Sequence, residues 1–320
     1  MNRSASRSAG PDGEWRLLDG VLLFDKPSGI TSNTAVQKVR RLFRVEKAGH
    51  TGTLDPMATG LLPVCLGEAT KFSHLLLEAD KTYSATILLG VTTSTGDLEG
   101  KITTRSRVQA EREGIEHVLE RFVGLTLQTP PMYSAIKRGG QPLYKLARAG
   151  GEVPREPRSI VIRSLILLGL EGEELKLSVS CSKGTYIRVL AEDIGRELGC
   201  GACLSALRRE GVGGFRLSQS TVTLEQLEQM APADRDALLL PEDALVSSLP
   251  RLDLDAAGAL RLRHGQSVER SEAHVAGLAR IYGPSREFLG VGEVTAPGLI
   301  VPRRLVSTAR TAAASGPSIA

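Results

Sequence analysis

The chain has 320 residues, 41% hydrophobic and 24% charged, with a formal net charge of +4. That is the composition of a soluble globular protein with ample core, long enough for one large domain or two. No apolar run approaches the roughly 20 residues that span a bilayer, and the N-terminus lacks the apolar core of a signal peptide. The cytoplasm is therefore the expected location.

Residues 1–13, rich in Ser, Arg, Gly and Pro, are expected to form a disordered tail. GVLLFD (20–25) reads as a short buried strand, followed by a turn at Lys26-Pro27-Ser28-Gly29. Thr31, Ser32 and Asn33 are N-cap candidates for a helix to about Arg44, with Ala35, Val36, Val39, Leu42 and Phe43 on its apolar face. GHTGTLDPMATG (49–60) is too rich in glycine and proline for a helix or strand. It reads as a shaped loop that holds one carboxylate, Asp55, although Asp-Pro alone is an ordinary turn signal.

An apolar strand, LLPVCLG, follows, and then a helix from Glu68 to Glu78. KTYSATILLG (81–90) is a strand whose alternation puts Tyr83, Ala85, Ile87 and Leu89 on one face. TTSTGDLEG (92–100) is a polar loop, and Ile115, Val118, Leu119 and Phe122 mark a helix. Residues 129–158 show no dominant periodicity and carry many Gly and Pro residues with Tyr133 and Tyr144, which points to a functional insertion.

Paired strands are expected over Ser159–Leu170 and Glu174–Ser180. A polar turn then leads into a helix over Tyr186–Leu198, with Arg188 in its first turn. LGCGACLSALRRE (198–210) reads as a helix end, a Gly turn and a new apolar segment. Val212–Leu217 is a strand candidate and Thr223–Met230 a helix. At Leu249-Pro250 the texture changes to short strands with Gly turns, which suggests a small β-barrel over 251–306; residues 307–320 form a second disordered tail.

Charge is segregated. Lys38, Arg40, Arg41, Arg44 and Lys47 face only Glu46 within their segment, and Lys137, Arg138, Lys145, Arg148, Arg155, Arg158 and Arg163 face only Glu152 and Glu156. Such clustering suits a polyanionic partner as well as a solvated face. Cys200 and Cys203 form a C-x-x-C, but no second pair completes a tetrahedral metal site, so no metal is expected. Phosphate-loop, dinucleotide-binding, serine-hydrolase and zinc-protease motifs are all absent. A lone positioned carboxylate can serve as nucleophile or base, and a nearby arginine favours its ionised form. Tyrosines can stack on a base while basic loops follow phosphates.

Together, DKPSGITS (25–32), GHTGTLDPMATGLLPVCLGEATK (49–71), KTYSATILLG (81–90), QTPPMYSAIKRGGQPLYKLAR (128–148), SKGTYIRVLAEDIG (182–195) and LGCGACLSALRRE (198–210) closely resemble the TruB family of tRNA pseudouridine synthases. The resemblance spans nearly all of residues 20–217. It implies an α+β fold, with a mixed, mainly antiparallel sheet, flanking helices and a basic insertion, ending in a PUA-like barrel. The domains would be a catalytic unit over 14–250, with 129–158 as an RNA-binding flap, and a PUA-like unit over 251–306.

The implied reaction is isomerisation of the TΨC-loop uridine at tRNA position 55, without cofactor. In that reading Asp55 is the nucleophile, Arg188 its ion-pair partner, and Tyr83 stacks on the target uracil. His50 holds the loop once the nucleotide is flipped out. Lys26, Leu207 and Tyr186 belong to the substrate pocket. Lys71 faces RNA, as do Lys137, Arg138, Lys145 and Arg148 on the flap. The implied partner is tRNA, with the C-terminal unit at the acceptor end and the protein a monomer. Two other classes remain compatible with the residues: a tRNA-folding chaperone, and a hydrolytic glycosidase, which would ordinarily need a second flanking carboxylate.

Overall fold

The structure, a computed structural model, describes residues 15–134, 136–217, 220–269, 276–295 and 298–307. The tails expected at 1–13 and 307–320 lie outside the described residues, Ser307 apart.

One ten-stranded sheet organises the chain. Its main path runs Val222–Thr223, Gly20–Lys26, Thr59–Leu66, Ala202–Val212, Lys81–Leu89, Glu174–Cys181, Arg158–Glu171 and Gly124–Gln128. Ala48–His50 adds to Thr59–Leu66, and Phe215–Arg216 to Ala202–Val212. Most pairings are antiparallel. The parallel ones are Gly20–Lys26 with Val222–Thr223 and Thr59–Leu66 with Ala202–Val212.

GVLLFD and LLPVCLG are apolar throughout because both faces of their strands are covered. Leu22, Phe24, Leu62 and Val64 turn into a core packed by the helices Ser32–Phe43, Arg112–Phe122 and Ile187–Glu197. Val21, Leu23, Leu61 and Cys65 turn the other way, onto Phe72, Leu245 and Val291. Strand Lys81–Leu89 alternates as expected, with Tyr83, Ala85, Ile87 and Leu89 all buried. Helix Ser32–Phe43 is capped by Thr31, whose side chain accepts from the Thr34 N–H at 3.0 Å, and it ends on Arg44 in the left-handed conformation.

Several elements differ from expectation. Ala202–Val212, expected only as an apolar segment after a Gly turn, is a central strand that reaches the start of the strand expected over Val212–Leu217. Its apolar alternation is broken by register shifts at Leu204/Ala206 and Arg209/Gly211, which is why period-two reading missed it. Glu68–Glu78 is divided into a 3₁₀ turn over Gly67–Lys71 and a helix over Ser73–Leu77. Residues 129–158 are not wholly irregular: Lys137–Arg138 pairs with Gln141–Pro142, and Leu143–Arg148 is helical. Gly124–Gln128 is an unanticipated edge strand on Arg158–Glu171.

Residues 251–305 form a second, five-stranded sheet, curled into a half-barrel, with the helix Ala256–Arg263 and a core of Leu254, Leu262, Ile281, Leu289 and Ile300. It seats on the main sheet through Phe288, whose ring packs on Phe72 at 5.2 Å, and through Val291 and Val306. The architecture is the mixed α+β arrangement expected, ending in a PUA-like unit.

Candidate active site

The Asp55 loop is clamped from two sides. From one side comes the KPSGITS turn. Lys26 is fully buried, and its ammonium donates to the carbonyls of Pro27 (2.8 Å), Ile30 (2.8 Å) and Pro56 (3.2 Å). Gly29 N–H donates to Pro56 O at 2.9 Å and Ser28 Oγ to Met57 O at 3.0 Å. Ser32 Oγ accepts from Leu54 N–H at 2.8 Å and donates to Leu54 O at 3.1 Å. Every residue flanking Asp55 from 54 to 57 is thus held by a segment some thirty positions earlier. Burial costs the Lys26 ammonium its hydration and pulls its pKa down to about 8, against an opposing pull from Asp55.

From the other side comes Arg209, on strand Ala202–Val212. Its guanidinium donates to Leu61 O at 2.7 Å, Gly52 O at 3.1 Å and, more weakly, Thr53 O at 3.5 Å. The chains touch here. Gly60 has φ +100°, and a Cβ on it would lie 2.4 Å from the carbonyl oxygen of Arg209, so only glycine fits. His50 Nδ1 accepts from Gly52 N–H at 3.2 Å, and burial and Arg209 together depress its pKa. His50 therefore braces the loop as a neutral acceptor.

Arg188 reaches Asp55 across the sheet. It stands in the first turn of Ile187–Glu197, buried, and its Nε donates to Asp55 Oδ2 at 2.8 Å. Nη1 donates to Thr95 O and Nη2 to Tyr133 O, both at 2.9 Å. The same Nε lies 3.4 Å from Asp97 Oδ2, an acid as buried as the arginine, which Thr95 Oγ1 and Glu99 N–H also bond. Asp55 itself is 32% exposed, so the pair combines a sheltered cation with a reachable carboxylate.

Tyr83 lies directly across from Arg209 on the neighbouring strand, and both are buried. Burial raises the Tyr83 pKa, and Arg209 pulls it back. Leu207 is buried on the same central strand, opposite Ala85. Tyr186 precedes the Arg188 helix. Its N–H donates to Gln128 Oε1 at 2.8 Å, and its carbonyl accepts from Gln128 Nε2 at 3.1 Å.

The other expected residues lie apart from this constellation. Lys71 does not point freely outward: its ammonium pairs with Glu68 at 2.6 Å and donates to Leu305 O and Ser307 Oγ, each at 3.0 Å, which ties the C-terminal sheet to the catalytic unit. Lys137 and Lys145 are exposed on the insertion. The side chains of Arg138 and Arg148 fall outside the described residues. Among the described residues no group of three or more His, Cys, Asp or Glu side chains is placed to hold a metal ion, and Cys200 and Cys203 are buried as free thiols. Asp97, Gln128 and Arg209 were missed. The first sits in what reads as a polar loop. The last had a signal: a charge inside the apolar run LSALRRE.

A model of the N-terminal domain of TruB family pseudouridylate synthases matches residues 40–187. Models of the tRNA pseudouridylate synthase B and pseudouridine synthase II TruB C-terminal regions match 188–247 and 250–306. The chain is 56% identical over 295 residues to a protein named tRNA pseudouridine synthase B from Dechloromonas aromatica, covering 92% of this chain and 98% of the relative. A protein of the same name from Methylobacillus flagellatus is 53% identical over 294 residues, covering 92% and 97%. Among solved structures, a Cbf5–Nop10–Gar1 complex superposes with a TM-score of 0.68 at 26% identity, over 90% of this chain and 85% of that one. An H/ACA ribonucleoprotein bound to a substrate RNA containing 2′-deoxyuridine gives 0.68 at 25% identity, over 89% and 84%. With full-length relatives above 50% identity and the same sheet, the chain belongs to the TruB family of pseudouridylate synthases.

Proposed function

We propose that the protein converts the uridine at position 55 of tRNA, in the TΨC loop, to pseudouridine, with the target base flipped out and Asp55 as the nucleophile. The observation that carries this reading is the 2.8 Å pair between a sheltered Arg188 and a reachable Asp55, in a loop braced on both sides. The relatives are named for acting on tRNA.

The reaction breaks N1–C1′, turns the uracil and joins C5 to C1′. Extruding the base costs a few kcal/mol, about the price of unstacking one nucleotide, and least in a loop where pairing is already incomplete. The Asp55 carboxylate attacks C1′ or C6, and Arg188 keeps it oriented and charged while the base leaves. Tyr83 and Leu207 supply an apolar wall for the ring, and Tyr186 borders the Arg188 helix. Nothing is oxidised and no external group is transferred, so the chemistry runs without a cofactor. The insertion at 129–158 covers the TΨC stem-loop, residues 251–306 reach the acceptor end, and the protein acts as a cytoplasmic monomer.

The test is an assay on unmodified tRNA that reads pseudouridine and free uracil together. Pseudouridine at that single position without free uracil is expected. Free uracil instead would make the protein a hydrolase. Accelerated tRNA refolding with neither product would make it a chaperone.

A further inference from the structure

Arg40 is a surface arginine held in place without an acid. Its Nε donates to Val45 O at 3.3 Å and Glu46 O at 3.2 Å, and its Nη1 to Gln37 Oε1 at 3.0 Å. Its guanidinium lies over the Trp15 ring, 4.6 Å from the centroid. All four partners are neutral, so the positive charge is fixed in position but not compensated. Among the described residues nothing bonds Nη2, and no carboxylate pairs with Arg40 or with Lys38, Arg41 and Lys47 near it. Immobilising so long a side chain costs conformational entropy. Solubility asks only for charge, not for a fixed fork. A guanidinium set in advance with an open amino group suits an oxyanion, because little order remains to be imposed on binding.

Arg40 lines a shallow cleft of about 370 Å³ with Gln37, Glu46, Lys47, Ala48 and Thr70. Lys47 is exposed there, and Glu46 is the single acid among the lining residues. The cleft stands between two parts of the site already described. Ala48 opens the strand Ala48–His50, whose last residue braces the Asp55 loop. Thr70 precedes Lys71, which bonds Leu305 O and Ser307 Oγ at the end of the second sheet. An RNA with its target base at Asp55 and its far end on the second sheet passes this cleft with its backbone.

We propose that the cleft binds a backbone phosphate of the tRNA stem that joins the target loop to the acceptor end, with Arg40 Nη2 and Lys47 Nζ as the donors. Lys38 and Arg41 extend the positive surface along the helix Ser32–Phe43. This deepens the proposed isomerisation and rests on its choice of tRNA. In that reading the insertion at 129–158 and residues 251–306 hold the two ends of the stem, and the cleft adds a fixed point between them. Discrimination by stem follows: an RNA whose stem stops short of the cleft loses that contact whatever its loop sequence.

The experiment measures the affinity of unmodified tRNA for wild type and Lys47→Gln over a range of salt, with single methylphosphonates placed in turn along the stem. A methylphosphonate keeps the linkage and removes its charge. In wild type one position, or two adjacent ones, is expected to weaken binding about fivefold, the scale of one exposed charge pair. Lys47→Gln is expected to weaken unsubstituted tRNA by a similar factor and to make the salt slope shallower by about 1. The same methylphosphonate should then change the affinity of Lys47→Gln by no more than about twofold, since the contact is already gone.

If every methylphosphonate weakens Lys47→Gln as much as wild type, Lys47 acts only through the general field of the surface and the inference fails. An unchanged affinity and salt slope in Lys47→Gln sinks it as well. Arg40→Gln should remove the effect at the same stem position. Should that variant not fold, Val45 and Glu46 having lost a donor, Lys47→Gln carries the test alone. Wild-type protein that makes no pseudouridine would overturn the proposed function through a readout separate from these affinities.

Discussion

Arg188 Nε sits 2.8 Å from Asp55 and 3.4 Å from Asp97, one cation between a half-buried acid and a fully buried one. The two acids are not equivalent. Asp97 is locked by Thr95 and Glu99 and cannot reach substrate, whereas Asp55 projects from its loop. The buried acid fixes the arginine, and the arginine fixes Asp55.

Asp55→Asn keeps the loop and removes the charge of the proposed nucleophile. Turnover is expected to fall by at least about 10⁴-fold, as for single knockouts of other nucleophiles, with tRNA affinity within about threefold of wild type, since phosphate contacts dominate affinity. Residual turnover of a few per cent, in protein checked by mass spectrometry for deamidation, would rule Asp55 out.

Asp97→Asn is expected to behave differently. It leaves Arg188 without its buried partner, so both stability and turnover drop: breaking a buried ion pair costs about 3–5 kcal/mol, and freeing the arginine misplaces Asp55. Arg188→Lys keeps the charge but satisfies only part of the acceptor set of Asp55, Thr95 O and Tyr133 O. It should lose turnover roughly a hundredfold, the scale of a small misplacement in the site. Urea melts and single-turnover rates together check this; an Asp97→Asn protein with wild-type stability and rate would remove Asp97 from the network.

Much of this was legible in the residues. Gly60, Pro56 and the GHTGTLDP run announced a shaped loop around one acid, because no other backbone role explains that density of glycine. The strands with clean alternation, such as Lys81–Leu89, were legible for the same physical reason: one side chain in two meets the core. Asp97 and Arg209 were not. Their roles come from long-range register, Arg209 opposite Tyr83 and Asp97 bridged to Leu204, and local sequence carries no record of which strand lies alongside. Lys71 shows the converse limit. The resemblance places it toward RNA, and nothing local announces that the chain returns some 230 residues later to set Leu305 and Ser307 on it.

Lys26 gives a pH prediction. Its pKa is depressed to about 8 in the folded protein, so between that value and the ordinary range near 10.4 the unfolded chain binds more protons and stability rises with pH. Below about pH 8 the cost of the buried cation is fully present; above it the folded state sheds the proton and the cost fades. Lys81, lowered to about 8 as well, adds a similar slope but is shared by wild type and a Lys26→Met variant, so it cancels in their difference. The variant should be less stable at every pH, since each carbonyl left without a donor costs about 1–3 kcal/mol. The gap should widen from pH 8 to 10. A gap independent of pH would show that Lys26 does not titrate there.

Truncation tests the C-terminal unit. A chain ending at Pro250 exposes Phe72 where Phe288 covered it, and leaves Glu68 without Ser307 N–H and Asp243 without Tyr282. The main sheet contributes no strand to the second sheet, so the shortened protein is expected to fold, with a melting temperature lower by several degrees, each kcal/mol being worth about 2–4 °C at this size. It should modify an isolated TΨC stem-loop yet bind whole tRNA more weakly. Loss of folding, or of stem-loop activity, would place the boundary elsewhere.

The insertion at 129–158 meets the Asp55–Arg188 pair through the hydrogen bond from Arg188 to Tyr133 O, and beyond it Lys137 and Lys145 stand exposed. Its internal backbone bonds are local, such as Leu143 N–H to Ile136 O and Tyr144 N–H to Ser134 O. Local bonds under like charges give a segment low local stability. Bound RNA neutralises the charges and offers a surface for Tyr144. Ordering the segment costs about 1–2 kcal/mol for each backbone residue fixed, and counterion release offsets part of this. Amide exchange over 136–158 is therefore expected to be fast in the free protein and slowed by tRNA, while exchange at Tyr186, held by Gln128, is slow in both. Replacing Lys137, Arg138, Lys145 and Arg148 with Gln should flatten the dependence of log affinity on log salt by about 0.7–0.9 for each phosphate contact removed. Equal, strong protection of the segment with and without tRNA, or an unchanged salt slope, would make it a rigid solvated loop.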